Sequence, residues 1–583
     1  MDYSYHRNEA IIRSKTREFF GVGAVVTASS YLVLVVDFML IGWILGSDAL
    51  AAAGLCDSFV DLAELPGFVF SSSGPIVAGI MVGRRQFGKA NQVFTFSFIF
   101  TIAGSLLCWC LLPFCNLFGD LLTNNGAISG EVARYAFYTI ASSPFIGIEL
   151  VLSGFAILDN HPKLAMGSVI VANVVNVALD IVFMKFLEMG VAGASLASLI
   201  GNAIGIFVCM PYLFFKDRTL RFSFSFSQSK EVVSELIASS SSFAVDKISR
   251  VVSGFIVNVL LIYFSGNMAV ALYAVYGRLK FILKIIAGGA LQTISSLGSL
   301  LYGERDFFGL GKMFSILIKY TYSMIVAIEL LLFLFTKQFL LSYGILIQSD
   351  TQIAFRIMLL SLPVFWLNDL LSRLYSVIQR QKLSVLLFSL QNLVLRVLIL
   401  LLFALCSNVL DVDKLIIVGI WCFAVELLSL LITLVVEKLR YKNIAIFDMK
   451  DFASPDCHAF SISANICDVD NVHREIESFC NENGISKKKG IFLSLAFEEV
   501  VLFIIKQNKN IAMIDICLFL ENGNLVVRIR DNGAQFNPLS FVDDEDILRL
   551  NNINLLDKLT SQRSYTRIMN MNNTVLFVKL DDE

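Results

Sequence analysis

Twelve apolar stretches, each long enough to cross a bilayer as a helix, dominate the first 440 residues of this 583-residue chain. A bilayer core needs about 20 consecutive apolar residues per helix. The composition agrees, with 56% hydrophobic residues, only 16% charged residues and a mean hydropathy of +0.72. These values exclude a disordered chain, a disulfide scaffold and an ordinary soluble enzyme. The predicted spans are about 19–45, 50–80, 91–115, 133–158, 163–186, 190–215, 235–264, 267–300, 313–336, 353–380, 384–407 and 413–438.

The loops between these spans differ in their content of Lys and Arg. Alternate loops, counted with both ends of the membrane part, carry 19 basic residues on one side and 4 on the other. Basic loops resist translocation, so the rich side is predicted to be cytoplasmic. We therefore expect a multi-pass protein of the plasma (inner) membrane of a prokaryote, with both termini in the cytoplasm.

The twelve spans contain an internal repeat of six. Three landmarks recur at almost one offset, which coincidence does not explain. Since six is even, the two halves share one orientation and form a parallel repeat about an axis along the membrane normal, an arrangement typical of transporters. The landmarks are Leu45–Ala51 with Ser265–Ala271 and Gly83–Phe87 with Gly303–Phe307, both at an offset of 220, and Lys163 and Asn173 with Lys382 and Asn392, at 219.

The end of the chain has a different composition. From Ser454 onward there are 13 basic and 19 acidic residues, which is a composition for water rather than lipid. The fold class predicted is therefore all-α and polytopic, with twelve transmembrane helices in two six-helix lobes, followed by a C-terminal α/β cytoplasmic domain. The predicted boundaries are 1–18 for a cytoplasmic N-terminus, 19–220 for the N-lobe, 221–234 for an inter-lobe loop, 235–440 for the C-lobe, 441–455 for a linker and 456–583 for the cytoplasmic domain.

Two carboxylates in the first half lie where lipid disfavours charge. Asp37 falls in the first span and Asp180 in the fifth, where steps of three and four place Asn173, Asn176 and Asp180 on one helical face. Carboxylate and amide oxygens suit a hard cation such as Na⁺, and two desolvated carboxylates also suit H⁺. The alternative is that these side chains only hydrogen-bond neighbouring helices together.

The second half carries a different set of charges in its spans. Asp246 with Arg250, and Asp369 with Arg373, are i,i+4 pairs that predict internal salt bridges, and Arg396 with Glu426 is a candidate cross-helix pair. Such groups are locked structural ion pairs, or they relay charge or contact a substrate. Lys247 adds a further cation. In span two, Asp57, Asp61 and Glu64 recur at helical spacing, as a cavity-lining stripe or the hydrated end of the helix.

Residues 15–440 resemble the multidrug and toxic compound extrusion (MATE) family. The resemblance rests on three motifs: Asp37 to Ala52, Gly83 to Phe94, and the run from Asp159 through Asn176–Asp180 to Ala197. It implies a two-lobed antiporter that exports small organic compounds against Na⁺ or H⁺ entry. It also places Asp37, Asn176 and Asp180 at the family's first-lobe cation positions, and Asp369 and Asp246 near its second-lobe acidic ones. The added Lys247, Arg250, Arg373 and Arg396 depart from the family and would suit a negatively charged substrate better.

The cytoplasmic domain resembles the histidine-kinase-type ATPase fold, most closely the anti-sigma-factor serine kinases. The resemblance rests on two motifs, Leu495–Glu499 and Val526–Pro538, and on the order of the predicted helices and strands. The helices are predicted at about 470–484, 488–507 and 551–560, and the strands at about 511–519, 524–530 and 574–580. The resemblance implies that Asp531 reads an adenine amino group, that Gly533 allows close approach of the base, and that Glu499 precedes a magnesium-binding Asn.

Two departures argue against catalysis by this domain. Phe503 stands where the resemblance implies the magnesium-binding Asn, and Asn552 and Asn554 replace phosphate-side glycines. We therefore predict a non-enzymatic, regulatory domain that binds a nucleotide weakly, binds a protein, or does neither. No cofactor is required beyond the coupling ion, and the expected partners are a small-molecule substrate, membrane lipid and a cytoplasmic protein, without nucleic acid. The alternatives for the whole chain are a membrane sensor that signals through the tail and a flippase for lipid-linked precursors.

Overall fold

A computed structural model describes residues 9–46, 49, 53, 56–123, 129–216, 218–224, 229–342, 348–406, 413–446, 457–463, 469–507, 513–521, 523–539 and 560–580. The chain divides into two compact units. The membrane unit comprises Thr16–Arg305 and Phe314–Asp448. The tail unit comprises Met1–Lys15, Asp306–Met313 and Met449–Glu583, so it combines three separate stretches of sequence. The predicted domain boundaries themselves stay predictions.

The regular elements that the structure describes in the membrane unit are all helices. In the first half the helices are α1 (Ala10–Leu45), α2 (Asp57–Gly83), α3 (Phe87–Trp109), α4 (Cys115–Thr123), α5 (Ser129–Ala141), α6 (Ser143–Leu158), α7 (Pro162–Ile181) and α8 (Val191–Cys209). In the second half they are α9 (Ser229–Ser265), α10 (Asn267–Thr293), α11 (Ser299–Gly303), α12 (Phe307–Leu334), α13 (Thr336–Ser342), α14 (Ser349–Leu360), α15 (Leu362–Val377), α16 (Gln381–Ser389), α17 (Leu395–Cys406) and α18 (Lys414–Tyr441).

Most of the predicted spans are present as long apolar helices. Ten described helical segments are long and apolar enough to cross a membrane, and the bent pair α5–α6 makes an eleventh. The predicted span at 267–300 is also helical, as α10. It carries Arg278, Lys280 and Lys284, and with three charged residues it is not among the segments counted above as long and apolar enough. The number twelve therefore stays a prediction.

The backbone supports the internal repeat. Residues with positive φ recur at the offsets that the sequence suggests, although such angles are uncommon outside glycine. The pairs are Gly46 (90°) with Gly266 (77°) and Arg85 (60°) with Arg305 (58°) at an offset of 220, and Asn160 (68°) with Gln379 (59°) at 219.

The two repeats meet where α2 and α11 end. A Cβ atom at Gly83 would lie 2.6 Å from the Leu300 carbonyl oxygen and 2.8 Å from the Glu304 nitrogen. A Cβ at Gly303 would likewise clash with the Ile80 carbonyl oxygen and lie 3.0 Å from the Gly83 Cα. Two glycines at equivalent repeat positions therefore allow the helix ends to touch backbone to backbone.

The tail unit contains a five-stranded antiparallel sheet and two helices. The helices are α19 (Val469–Glu482) and α20 (Lys487–Gln507), which confirm two predicted helices. The strands are β1 (Cys457–Ser463), β2 (Met513–Glu521), β3 (Asn524–Asp531), β4 (Thr560–Ile568) and β5 (Met571–Lys579), in the order β1-β2-β3-β5-β4. The prediction missed β1 and β4, and the predicted helix at about 551–560 lies outside the described residues except for Thr560, which begins β4.

The two faces of β3 have opposite character. Val527 and Ile529 pack into the core with α19 and α20, because alternate residues of a strand share a face. Arg528 and Arg530 point the other way and are also buried, at 3% and 1% exposed. In the tail unit Asp306 meets them, with its Oδ2 2.9 Å from Arg530 Nη1 and 3.7 Å from Arg528 Nη2. Its Oδ1 accepts a hydrogen bond from the Gly309 backbone N–H.

We expect Asp306→Asn to loosen the tail unit. The amide can still accept the Gly309 bond, but the negative charge that compensates two buried arginines is lost, at a cost of about 2 kcal/mol. Limited trypsin digestion of the full chain should then cleave residues 449–583 at least tenfold faster than in the wild type. Asp350→Asn, at the start of α14, is the control, and equal cleavage rates in all three proteins would contradict the role given to Asp306.

Candidate cation site and second-lobe charge cluster

The structure brings together the two first-lobe carboxylates. Asp180 lies in the last turn of α7, which continues as a π-helix over Val182–Phe186. A π segment inside a helix often marks a functional site. The Asp180 and Asp37 side chains lie close enough to interact with each other. The predicted convergence of these two helices is therefore present.

The burial of Asp180 is what makes this pair unusual. Its side chain is 0% exposed, and neither oxygen has a hydrogen-bond donor among the described residues. A buried carboxylate without donors costs several kcal/mol. The neighbouring Asp37 carboxylate increases this cost when both groups are ionised, and a shared proton or a bound cation removes it.

The two predicted asparagines differ in their places. With its amide oriented to satisfy both ends, Asn176 donates from Nδ2 to Asp37 Oδ1 at 3.1 Å and accepts from the Ser198 backbone N–H at 3.0 Å. Asn173 instead donates to Ser29 Oγ at 2.7 Å. It lies about 10 Å along the helix from Asp180, since each residue adds about 1.5 Å. The structure thus places Asn176 with the carboxylates and Asn173 outside their immediate contacts.

Glu149 is a first-lobe carboxyl group that the sequence reasoning missed. It lies in α6, is 6% exposed, and accepts a hydrogen bond from Ser168 Oγ at 3.3 Å. The signal was available, because an acidic residue in the middle of an apolar span is the same feature that singled out Asp37.

Two of the three predicted second-lobe ion pairs are confirmed. Asp246 Oδ2 lies 2.7 Å from Arg250 Nη2, and Glu426 Oε1 lies 3.6 Å from Arg396 Nη2. Glu426 is 1% exposed and also accepts from Gln391 Nε2 at 2.7 Å. Gln391 belongs to a second π segment, Leu390–Val394, so an irregular turn again supplies a polar contact.

The predicted pair of Asp369 with Arg373 is wrong. Asp369 Oδ2 lies 3.7 Å from Lys284 Nζ instead, because α10 packs beside α15 and presents its lysines to it. Arg373 turns to Phe243, with its guanidinium carbon 4.5 Å from the ring centroid. Along the same side of α10, Lys280 Nζ lies 2.7 Å from Glu426 Oε1. Both lysines were missed, although each stands inside a predicted span.

A small cavity lies against this cluster. Two cations, one carboxylate and three aromatic rings contribute to its walls. The lining residues are Tyr273, Tyr276, Lys280, Arg396, Trp421, Cys422, Val425 and Glu426.

The acidic residues of α2 contact the second half. Lys247 Nζ lies 2.5 Å from Asp61 Oδ1 and 3.0 Å from Glu64 Oε2. These two carboxylates therefore pair with a cation of α9 in the second half, and both alternatives for this stripe stay predictions. The side chain of Asp57 lies outside the described residues.

In the tail unit, the Asp531 carboxylate is satisfied internally. Its Oδ1 accepts from the Gly533 backbone N–H and from Asn572 Nδ2, both at 2.8 Å. Burial raises the pKa of the Asp531 carboxyl above its ordinary value, and these hydrogen bonds oppose that rise. Phe503 is buried and supplies no ligand oxygen, whereas Glu499 is partly buried. Asn552 and Asn554 lie outside the described residues.

Comparison with known proteins finds similarity to one family over part of the chain. The MatE family model matches residues 24–182. The multidrug export protein MepA of Staphylococcus haemolyticus is 24% identical over 265 residues, which cover 45% of this chain and 58% of that protein. MepA of Staphylococcus saprophyticus is 23% identical over 269 residues, with the same coverage. The chain thus spans just over half the length of these curated relatives, which are export proteins and not enzymes.

Solved structures extend the likeness to the fold. A crystal structure of MATE in the bent conformation superimposes with a TM-score of 0.66 and 21% identity, over 76% of this chain and 97% of that one. An outward-facing multidrug resistance MATE family transporter gives 0.65 and 20%, over 75% and 97%. The helical part therefore has the MATE fold, and the chain is a membrane protein.

Proposed function

We propose that the chain is a cation-coupled antiporter that exports small organic compounds by alternating access. The observation that carries the proposal is the Asp37–Asp180 pair, since Asp180 is fully buried and neither of its oxygens has a donor in the part of the chain that the structure describes. Such a site is satisfied by a proton or Na⁺ and is costly when empty. This preference couples ion occupancy to the arrangement of the lobes.

The proposed cycle is a competition between ion and substrate. The ion stabilises the lobe arrangement in which α1 and α7 enclose it. The substrate stabilises the other arrangement, and the differential binding of the two ligands shifts the population between them. A proton needs only the two carboxylates, whereas Na⁺ would need additional oxygen ligands. Both remain candidates for the coupling ion.

The test uses proteoliposomes that contain the full chain and an imposed Na⁺ or proton gradient. Radiolabelled benzoate and tetraphenylphosphonium serve as an anionic and a cationic probe. Gradient-dependent movement of either probe, lost in Asp37→Asn, supports the antiporter. Movement that is identical with and without a gradient, or unchanged in Asp37→Asn, contradicts it.

For the tail we propose a regulatory role without catalysis, in the cytoplasm of a prokaryote and with a nucleotide or a protein as its partner. The proposal depends on the resemblance to the histidine-kinase-type ATPase fold and on Phe503, whose ring cannot hold Mg²⁺. We expect the purified full chain to release no phosphate from Mg-ATP above the rate of a sample without protein. Phosphate release that is abolished in Asp531→Ala would contradict the proposal.

A further inference from the structure

Counted over the described side chains, six cations and five carboxylates form a cluster around the second lobe. Five of the cations have a carboxylate partner within salt-bridge distance. These are Lys247 with Asp61 and Glu64, Arg250 with Asp246, Lys284 with Asp369, and Lys280 and Arg396 with Glu426. The cluster therefore has an excess of one positive charge.

Arg373 is the member of this cluster without an acidic partner. Among the described residues no carboxylate lies within salt-bridge distance of its guanidinium, which stacks on Phe243 at 4.5 Å. Asp246 and Asp369 attract it from farther away, and each already binds another cation. The planar fork of an arginine is suited to a carboxylate or phosphate, which it binds with two parallel hydrogen bonds.

The position of Arg373 suits a ligand that enters between the lobes. Tyr31, which belongs to α1 of the first half, lies near both Arg373 and Arg250. The surroundings are rich in aromatic rings. Phe243 stacks on Arg373, and Lys280 lies 4.3 Å from the ring centre of Phe365. A ligand here would meet the guanidinium of Arg373 and several apolar faces.

We propose that Arg373 binds the carboxylate or phosphate group of a small organic anion with an aromatic or apolar body, and that this anion is the transported substrate. The inference rests on the proposed antiporter, to which it adds the substrate class. The anion neutralises the excess charge of the cluster, which an organic cation would increase. A partly buried charge gains more from such a partner than an exposed one.

The test compares two planar probes of nearly the same shape and opposite charge, benzoate and benzamidine. Their binding to the full chain in detergent is measured by isothermal titration calorimetry. We expect benzoate to bind and benzamidine not to bind. Arg373→Gln should weaken benzoate binding about ten- to a hundredfold, and Arg373→Lys should weaken it less, because Lys keeps the charge but lacks the fork. Arg356→Gln is the matched control, since Arg356 also stacks on a phenylalanine, Phe333, at 4.9 Å.

Several outcomes would overturn the inference. They are preferential binding of benzamidine, benzoate binding that Arg373→Gln leaves unchanged, and binding of phosphatidylglycerol without any binding of benzoate, which would assign the site to a lipid headgroup.

The proposed antiporter has a separate test. If only tetraphenylphosphonium moves with the gradient in proteoliposomes, the antiporter stands and the anion site fails. If benzoate binds at Arg373 but neither probe moves, the antiporter fails and the binding site stands.

Discussion

Asp180→Asn is expected to raise the unfolding temperature of the protein in buffer without Na⁺, although it removes a buried charged side chain. In the wild type, neither Asp180 oxygen has a donor among the described residues, and Asp37 lies beside it. The amide carries no charge, and its nitrogen can donate to Asp37. We expect a gain of about 1–3 kcal/mol, measured as an increase of several degrees by differential scanning fluorimetry.

The matched control is the same substitution at Asp159. This carboxylate is also buried, at 2% exposed, but its Oδ2 accepts from the Tyr212 hydroxyl at 2.9 Å and from the Leu220 backbone N–H at 3.0 Å. Its Oδ1 accepts from the Thr219 backbone N–H at 2.9 Å. An amide at 159 would turn a donor toward one of these donors. Asp159→Asn should therefore lower the unfolding temperature, opposite in sign to Asp180→Asn.

The ion response should disappear in the same variant. Na⁺ or protons that bind the wild-type pair stabilise the folded protein by mass action, and the free energy of unfolding rises by about 2.7 kcal/mol at a hundredfold excess over Kd. The unfolding temperature of the wild type therefore increases with ion concentration. Asp180→Asn should show no such increase, while Asp159→Asn should keep it. Equal ion responses in wild type and Asp180→Asn would show that the pair binds no coupling ion.

Gly83→Ala and Gly303→Ala should each abolish transport while leaving the protein folded. In the structure the ends of α2 and α11 touch, and a Cβ at Gly83 would lie 2.6 Å from the Leu300 carbonyl oxygen. That distance is shorter than the contacts that real Cβ atoms make, so in the alanine variants the two helix ends cannot close on each other. The alternating access that we propose includes this closure in every cycle. We expect at least a tenfold loss of gradient-driven flux in proteoliposomes.

Gly254→Ala provides the comparison for these variants. Gly254 lies within α9, and a Cβ there would meet no atom within 4 Å. Its flux should match that of the wild type, and all three variants should unfold within a few degrees of it. Full transport by Gly303→Ala would mean that closure of α2 against α11 is not part of the cycle.

The sequence predicts the first-lobe pair well because both carboxylates lie in apolar spans where charge is costly. Asp37 and Asp180 are recognisable one at a time, and the MATE resemblance pairs them. The second lobe is harder, since many charges compete for partners. An i,i+4 spacing predicts Asp246 with Arg250 correctly. It fails for Asp369, because the lysines of the neighbouring α10 reach that carboxylate and only packing determines which residue does so.

The tail shows the same limit in a sheet. The two strands that were missed, β1 and β4, are the two edges of the sheet. An edge strand pairs on one side only and tolerates polar side chains, and this weakens the apolar alternation of β4. β4 carries exposed or half-buried residues at most of its positions. It joins β5 through Met569 and Asn570, both with positive φ, as a two-residue hairpin turn requires.

The central claim is that the Asp37–Asp180 pair binds the coupling ion, and it can be measured without knowing the substrate. Proteoliposomes of the full chain on a solid-supported membrane report charge movement when Na⁺ or pH is changed suddenly. The account predicts a saturable transient current in the wild type and in Arg373→Gln, and its absence in Asp37→Asn and Asp180→Asn. A current in Asp180→Asn equal to that of the wild type would contradict it.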